Sequence, residues 1–283
     1  MSGPESPTIT VVTVCRNVLP ALRETVASVL SQDYPALEYW IVDGASTDGT
    51  VEYLAELERR GVRTVSEPDR GISDAMNKGI RLASGTLIAH LHAGDLYAPG
   101  ALEAVAHAHA ADPGADVYCA WMRKREPHGD VAYRCAPDRL ERDMTVNHPA
   151  TWTRREAFER LGGFDEGLKR AMDYDFFLRA RVAGCRFHVI EAPLAIMESG
   201  GASERSLWAT LAETHAIRRR RMRAGFARTG AYLAFLYARG EARRAPGDRS
   251  RRPGRVVPAA LRAAEEAPER LTSSEPSRTL DRS

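Results

Sequence analysis

Over its first hundred residues the chain alternates between short apolar runs of strand character and amphipathic stretches of helical spacing. That alternation restricts the fold more than any other feature. Ile9–Val14 is a compact β-branched run, the pattern of a strand buried on both faces. Leu22, Val26, Val29 and Leu30 then recur at i, i+4, i+7 and i+8, which describes one apolar helix face. Glu38–Val42 reads as a second strand, residues 50–60 as a helix and Arg63–Ser66 as a short strand. A helix from about Ser73 to Ala83 leads into the apolar strand Leu87–Leu91. Repeated strand–helix exchange predicts an α/β fold with a mostly parallel central sheet covered by helices. Such sheets bind ligands outside the carboxyl ends of their strands. The polar loops after Val14, Val42, Ser66 and Leu91 all fall there.

The second half is less regular. Asp116–Trp121 and Val131–Arg134 read as strands, and Arg154–Leu161 and Met172–Gly184 as helices. Arg186–Ile190 and Leu194–Met197 read as two edge strands separated by Pro193. A helix from about Glu204 to Ala224 follows, then an amphipathic stretch from Tyr232 to Arg239. Beyond about Ala245 the chain is rich in Pro, Arg, Ser and Glu and reads as disordered. The expected organisation is a catalytic domain over residues 1–205, a basic helical extension over 206–245 and a disordered tail over 246–283.

Composition narrows the class. A chain of 283 residues accommodates one large α/β domain with appendages. No run of about 18 apolar residues occurs, which argues against a membrane-spanning helix. Met1–Thr8 lacks the basic start and apolar core of an export signal. Cys15, Cys119, Cys135 and Cys185 fit no zinc spacing and read as buried or free thiols of a reducing compartment, which places the chain in the cytoplasm. The net charge of +2 conceals an asymmetry: residues 216–255 hold 13 arginines against two acids, while residues 1–215 come to −8. An acidic body carries a basic C-terminal segment.

Four segments carry candidate chemistry. The loop Asp43–Gly49 follows a buried strand and precedes a helix; it can present carboxylate and hydroxyl groups to a polar ligand, or act as a plain turn with Thr47 or Asp48 capping the helix. Ser66–Gly79 packs five charged groups, an Asn and two glycines between a strand and a helix, more than a solvated helix start needs. Within it Lys78 suits contact with a diphosphate. Asp95 follows the strand Leu87–Leu91 in the run His90-Leu91-His92-Ala93-Gly94-Asp95, and a carboxylate so placed suits a hard divalent cation whose shell is completed by phosphates. Asp173 opens the helix containing the apolar Phe176, Phe177 and Leu178, either as a cap or as a second acidic centre.

Taken in order, these segments resemble the family 2 glycosyltransferases of the GT-A fold, especially those of bacterial capsule, exopolysaccharide and O-antigen assembly. The matching stretches are Thr13–Asn17, Ser28–Gln32, Val42–Thr50, Ser66–Gly79, Ala93–Asp95, His148–Thr151, Gly162–Asp165, Asp173–Asp175 and Gly200–Ser203. The resemblance implies a Rossmann-like sheet flanked by helices, followed by a C-terminal helical extension. It also implies a nucleotide-sugar site drawing on Asn17, Asp43, Ser46, Asp69, Lys78 and Gly94, with Asp43 on the nucleoside base. Asp95 resembles the final carboxylate of the family's Asp-any-Asp metal motif, implying Mg²⁺ or Mn²⁺. Ala93 and Gly94 replace the rest of that motif. Asp173 resembles the catalytic base, and His148 and Asp175 fall where an acceptor would approach, with His148 reading equally as a satisfied structural histidine. His92 stands where relatives often carry Asn, and no role is read from it.

The activity so implied is inverting transfer from a nucleoside-diphosphate sugar to a hydroxyl of a glycan or lipid-linked acceptor. Arg218–Arg221 and Arg223, next to Tyr232, Leu233, Phe235, Leu236 and Tyr237, read as a peripheral contact with the inner face of the cell membrane. Packing of that segment on the catalytic domain is the competing reading, and nucleic-acid binding is the least favoured. Two other functions compete. A sugar nucleotidyltransferase would want a glycine-rich basic loop after the first strand, which Val14–Val18 does not offer. A non-catalytic nucleotide-sugar-binding protein would have no need of a base at Asp173.

Overall fold

The computed structural model describes residues 6–126, 129–198 and 207–222. Its core is one nine-stranded sheet in the order β3-β2-β1-β4-β8-β6-β9-β5, with β7 paired to β6. The first half is the expected parallel unit. β1 (Ile9–Cys15), β2 (Leu37–Asp43), β3 (Arg63–Ser66) and β4 (Leu87–His90) pair in parallel, and β1 and β4 are completely buried. Burial on both faces is why these strands read as unbroken apolar runs.

Helices α1 (Leu19–Leu30), α2 (Thr50–Glu58) and α4 (Ala101–Ala111) cover one face, with Leu22, Val26, Leu54, Leu57, Leu102 and Val105 in its apolar cluster. Helices α3 (Ile72–Leu82), α5 (Arg155–Leu161) and α6 (Met172–Val182) cover the other, through Met76, Phe158, Phe176 and Leu178. α7 (Leu207–Arg221) adds Ile217 to that second cluster. The chain runs outward from β1 to β3 under one layer and returns through α3 to place β4 on the other side of β1. This reversal creates a switch point at the carboxyl ends of β1 and β4, where open α/β sheets bind ligands.

The second half departs from the simplest expectation of parallel pairing. β8 (Thr151–Arg154) runs antiparallel between β4 and β6 (Val117–Arg125), β7 (Val131–Tyr133) forms a hairpin with β6, and β5 (Asp95–Tyr97) pairs antiparallel with β9. The two edge strands expected around Pro193 form one strand, β9 (Phe187–Glu198), which lies inside the sheet between β6 and β5. Pro193 is accommodated where the β6–β9 register shifts beside Trp121. A bulge tolerates the missing N–H, so the proline bends the strand without ending it. All four cysteines are free and buried. The amphipathic stretch expected from Tyr232 and the tail from residue 246 lie outside the described residues.

Candidate active site

Register builds the first part of the site. Parallel pairing sets Cys15 beside Asp43 and Asp43 beside Ser66, a lateral row at the carboxyl edge of three strands. The Asp43 carboxylate is fully buried and collects this row: Ser66 Oγ donates to it at 2.7 Å, the Ser46 backbone N–H at 2.9 Å, and the Ser46 hydroxyl donates to its other oxygen. Ser46 Oγ in turn accepts the Asn17 N–H at 2.7 Å, and Asn17 Oδ1 accepts the Thr47 N–H at 2.8 Å. Asn17 pays for this geometry with a left-handed backbone, φ 52°. Asp48 braces two helix starts, accepting from the Leu19 N–H and the Thr50 hydroxyl.

Asp69 packs directly on Gly44, where any side chain would collide with its carboxylate, and accepts the Gly71 N–H at 2.9 Å. The Lys78 ammonium pairs with Glu67 at 2.9 Å and donates to the Pro68 carbonyl at 2.9 Å. The structure thus gathers Asn17, Asp43, Ser46, Asp69 and Lys78 into one hydrogen-bonded loop cluster. Asp43 and Lys78 already have protein partners there.

The second part comprises two carboxylates that are not so provided. Asp95 is the first residue of β5, not a loop residue. Its turn is held by Thr25 of α1, whose hydroxyl accepts the Gly94 N–H at 2.9 Å and donates to the Asp95 carbonyl at 2.9 Å. Gly94 takes a left-handed conformation, φ 107°, that disfavours any other residue. Among the described residues no donor reaches the Asp95 carboxylate, and burial together with the nearby charge of Glu198 pushes its pKa up to about 7. Asp173 stands in the first turn of α6 and accepts the adjacent Tyr174 N–H at 2.7 Å. Burial raises it to about 6, against the lowering effect of that bond.

A cluster of rings links these two regions. His90, at the end of β4, packs edge-on against Phe164 (centroids 5.2 Å apart), and Phe164 packs on Phe176 of α6 at 5.4 Å. His92 stacks on His148 at 4.8 Å. Burial holds all three imidazoles well below their ordinary range, so they are neutral rings near neutral pH. His148 is half-buried in this stack, beside the strand that leads to Asp95.

Asp175 is not brought to an open face. It is completely buried and bonded by Arg179 (2.8 Å), Arg220 (3.1 Å) and Arg221 (3.0 Å). Desolvation alone would raise its pKa, but these guanidinium groups hold it below the usual carboxylate range. Asp175, expected where an acceptor would approach, is thus occupied by protein partners from α6 and α7. The same contacts turn part of the basic run inward: Arg218 is 6% exposed and donates to the Tyr174 hydroxyl at 2.8 Å. Arg223 and residues 232–237 lie outside the described residues. No helix among the described residues is long and apolar enough to cross a membrane.

Sequence reasoning missed three residues that hold this site together. Thr25 fixes the Asp95 turn from 70 residues away. Asn77 exchanges two hydrogen bonds with the Phe164 backbone, at 2.9 and 2.8 Å, tying α3 to the segment before α6. Glu213 of α7 accepts three backbone N–H groups just ahead of Asp173. A buried Thr on an apolar helix face was the only cue for the first, and the sequence offered none for the others. As for a metal, Ala93 and Gly94 supply no ligand side chain, and no three His, Cys, Asp or Glu side chains converge among the described residues. Asp95 alone, a desolvated carboxylate without a protein cation, fits one coordination position of an ion whose other ligands come from substrate.

These features define a GT-A glycosyltransferase. The structure superposes on a mannosyltransferase from Pyrobaculum calidifontis solved with GDP-Man and Mn²⁺ (TM-score 0.62, 22% identity, covering 92% of this chain and 79% of that one). It also superposes on Staphylococcus aureus TarS 1-349 in complex with UDP-GlcNAc (TM-score 0.58, 18% identity, 83% and 73%). The chain belongs to glycosyl transferase family 2, whose profile matches residues 10–165. It is 32% identical over 182 residues to the uncharacterized glycosyltransferase Rv1514c of Mycobacterium tuberculosis, covering 62% of this chain and 69% of the relative. It is 28% identical over 172 residues to the chondroitin synthase of Escherichia coli, of which it spans 25%. Family membership sets aside the nucleotidyltransferase reading.

Proposed function

We propose that this glycosyltransferase inverts the anomeric centre as it moves a sugar from a nucleoside-diphosphate donor to a hydroxyl of a glycan or lipid-linked acceptor, with Asp173 as the general base. The observation that carries this reading is the state of Asp173: a carboxylate in the first turn of α6, raised to about 6 by burial, with no cation beside it among the described residues. A base is most useful when its pKa lies a little below the working pH, because it is then ionised yet still basic. The acceptor hydroxyl gives its proton to Asp173 while its oxygen bonds the anomeric carbon, and the sugar–phosphate bond breaks on the opposite side.

The loop cluster of Asn17, Asp43, Ser46 and Asp69 holds the nucleoside end, with Asp43 acting largely through the turn it braces. Lys78 and Gly94 border the diphosphate. The relatives solved with GDP-Man and UDP-GlcNAc support a nucleotide-sugar donor, and UDP-, GDP- and dTDP-sugars are the classes to screen. Asp95 would hold Mg²⁺ or Mn²⁺, which when bound neutralises charge gathering on the leaving diphosphate. The arginines after α7 leave a peripheral contact with an anionic membrane surface as part of the proposal; vesicle sedimentation with and without residues 223–283 checks it.

Asp173→Asn tests the base. It should lower transfer by about a hundred- to ten-thousand-fold while nucleotide-sugar affinity stays within about two-fold. Transfer by the wild type should rise with pH through about 6 as Asp173 ionises. Equal losses of affinity and rate in the variant would count against the assignment, and binding without any product from the wild type would favour a non-catalytic binder.

A further inference from the structure

Four side chains of α7 converge on the turn that carries Asp173. Glu213 accepts hydrogen bonds from three consecutive backbone N–H groups, those of Lys169 (3.2 Å), Arg170 (2.9 Å) and Ala171 (3.0 Å). Beyond Asp173, Arg218 donates to the Tyr174 hydroxyl at 2.8 Å, and Arg220 and Arg221 bond Asp175 at 3.1 and 3.0 Å. One helix therefore holds the chain on both sides of residue 173, through backbone N–H groups before it and through side chains after it. These three N–H groups lie just ahead of α6, and Ala171 at its cap position has no side chain able to accept a hydrogen bond. Successive N–H groups pointing one way make an anion-binding concavity, and here a carboxylate from a remote element fills it.

Across the same segment, α3 supplies the opposing grip. Ser73 donates to the Leu168 carbonyl at 3.1 Å, Asn77 holds Phe164, and Arg70 pairs with Glu166 at 2.7 Å. Residues 164–171 thus run between the helix of the nucleotide side and α7, and end at the helix of the proposed base.

We propose that Glu213 is a positioning residue for the general base, so that the placement of Asp173 is set by α7, an element beyond the residues that define the family. The inference rests on the assignment of Asp173 as base. A mispositioned reacting group commonly costs about a hundredfold in rate with little change in substrate binding, which separates this role from a contact to the donor. It also separates from mere stability. Asp173 owes its raised pKa to burial, with no neighbouring charge contributing. Freeing the start of α6 would admit water and return the carboxyl toward its ordinary range.

The test uses the full chain as wild type, Glu213→Ala, Glu213→Gln and Asp173→Asn. Nucleoside-diphosphate release from GDP-mannose and from UDP-N-acetylglucosamine with Mn²⁺ is followed against pH, and amide hydrogen exchange is measured over residues 164–178. Glu213→Ala should lower kcat about a hundredfold with KM within about two-fold. Its acidic limb should move below the wild-type position near pH 6, and exchange should rise at residues 169–174. Glu213→Gln, which has the same shape and keeps one accepting oxygen, should fall between and carries the test if the alanine variant does not fold. Wild-type kcat in both folded variants overturns the inference, as does a loss of kcat with the acidic limb unmoved and exchange at 172–174 unchanged. If Asp173→Asn still releases nucleotide at the wild-type rate, the base assignment fails and this inference with it. If Asp173→Asn is inactive while the Glu213 variants are unimpaired, only the positioning role fails.

Discussion

Asp173 and Asp175 stand two residues apart on α6, yet the seam between α6 and α7 and the start of that helix treat them oppositely. At the seam, Asp175 is fully buried among Arg179, Arg220 and Arg221, and its carboxyl is held low. At the start of the helix, Asp173 meets no cation among the described residues, and burial drives its carboxyl up to about 6. Asp95 resembles Asp173 in this respect, at about 7, whereas Asp74, bonded by the Arg70 side chain and backbone N–H, is held down at about 2. The contrast teaches that acids with protein partners shape the fold around the site, while the proposed base and metal ligand keep carboxylates that burial alone perturbs or that a like charge perturbs further. Unrelieved desolvation of a carboxylate costs stability, and functional sites are where such a cost is retained.

Removing the best-paired acid should have the largest effect. Asp175→Ala takes the buried carboxylate from Arg179 and Arg221, while Arg220 keeps Asp165, and should destabilise the fold by about 3 to 5 kcal/mol, measured by urea unfolding. The sign with pH follows: Asp175 has a lowered folded pKa, so its contribution is present at neutral pH and is lost as pH falls through that lowered value. An intact fold with unchanged urea midpoint in the alanine variant would break the comparison from the paired side.

The unpaired acid should behave in the opposite sense. Asp95→Asn should stabilise the metal-free protein at pH 8 by roughly 1 to 3 kcal/mol, allowing for its residual exposure. The carboxyl of Asp95 is raised in the fold, so wild-type stability is greatest when it is protonated and declines as pH rises through about 7. The advantage of the variant should therefore vanish at pH 4. Thermal melts at the two pH values check this, and Mn²⁺ with a nucleotide sugar should stabilise the wild type more than the variant.

A smaller effect sharpens the comparison within the loop cluster. Ser66→Ala removes one of the donors to buried Asp43 and should cost about 1 kcal/mol, read from the same melts. Nucleotide-sugar affinity should weaken with it while the pH dependence of transfer stays put, since Asp173 is untouched.

Much of the frame was legible in the chain itself. The runs Ile9–Val14 and Leu87–Leu91 announced buried parallel strands because a strand covered on both faces admits few polar residues. The second half, where parallel and antiparallel pairings mix, was harder to read. β5 is three residues long, and β9 crosses Pro193 through a register shift, so neither carries a clean period of two. The resemblance pointed to Asp95 as a metal ligand and Asp173 as a base, and placed Asp175 where an acceptor would approach. Nothing in Asp173-Tyr174-Asp175 says which carboxylate will face arginines donated from α7, more than 40 residues away.

The sequence by itself determined the α/β class, the parallel unit and the polar loops at its carboxyl edge. Those follow from local periodicity and from the rule that strand ends of such sheets collect ligands. Tertiary structure alone decided which acids are quenched and which stay poised, and that part of the basic run grips the domain. Charge compensation depends on distance in space, and it was the packing of α7 on α6 that set those distances.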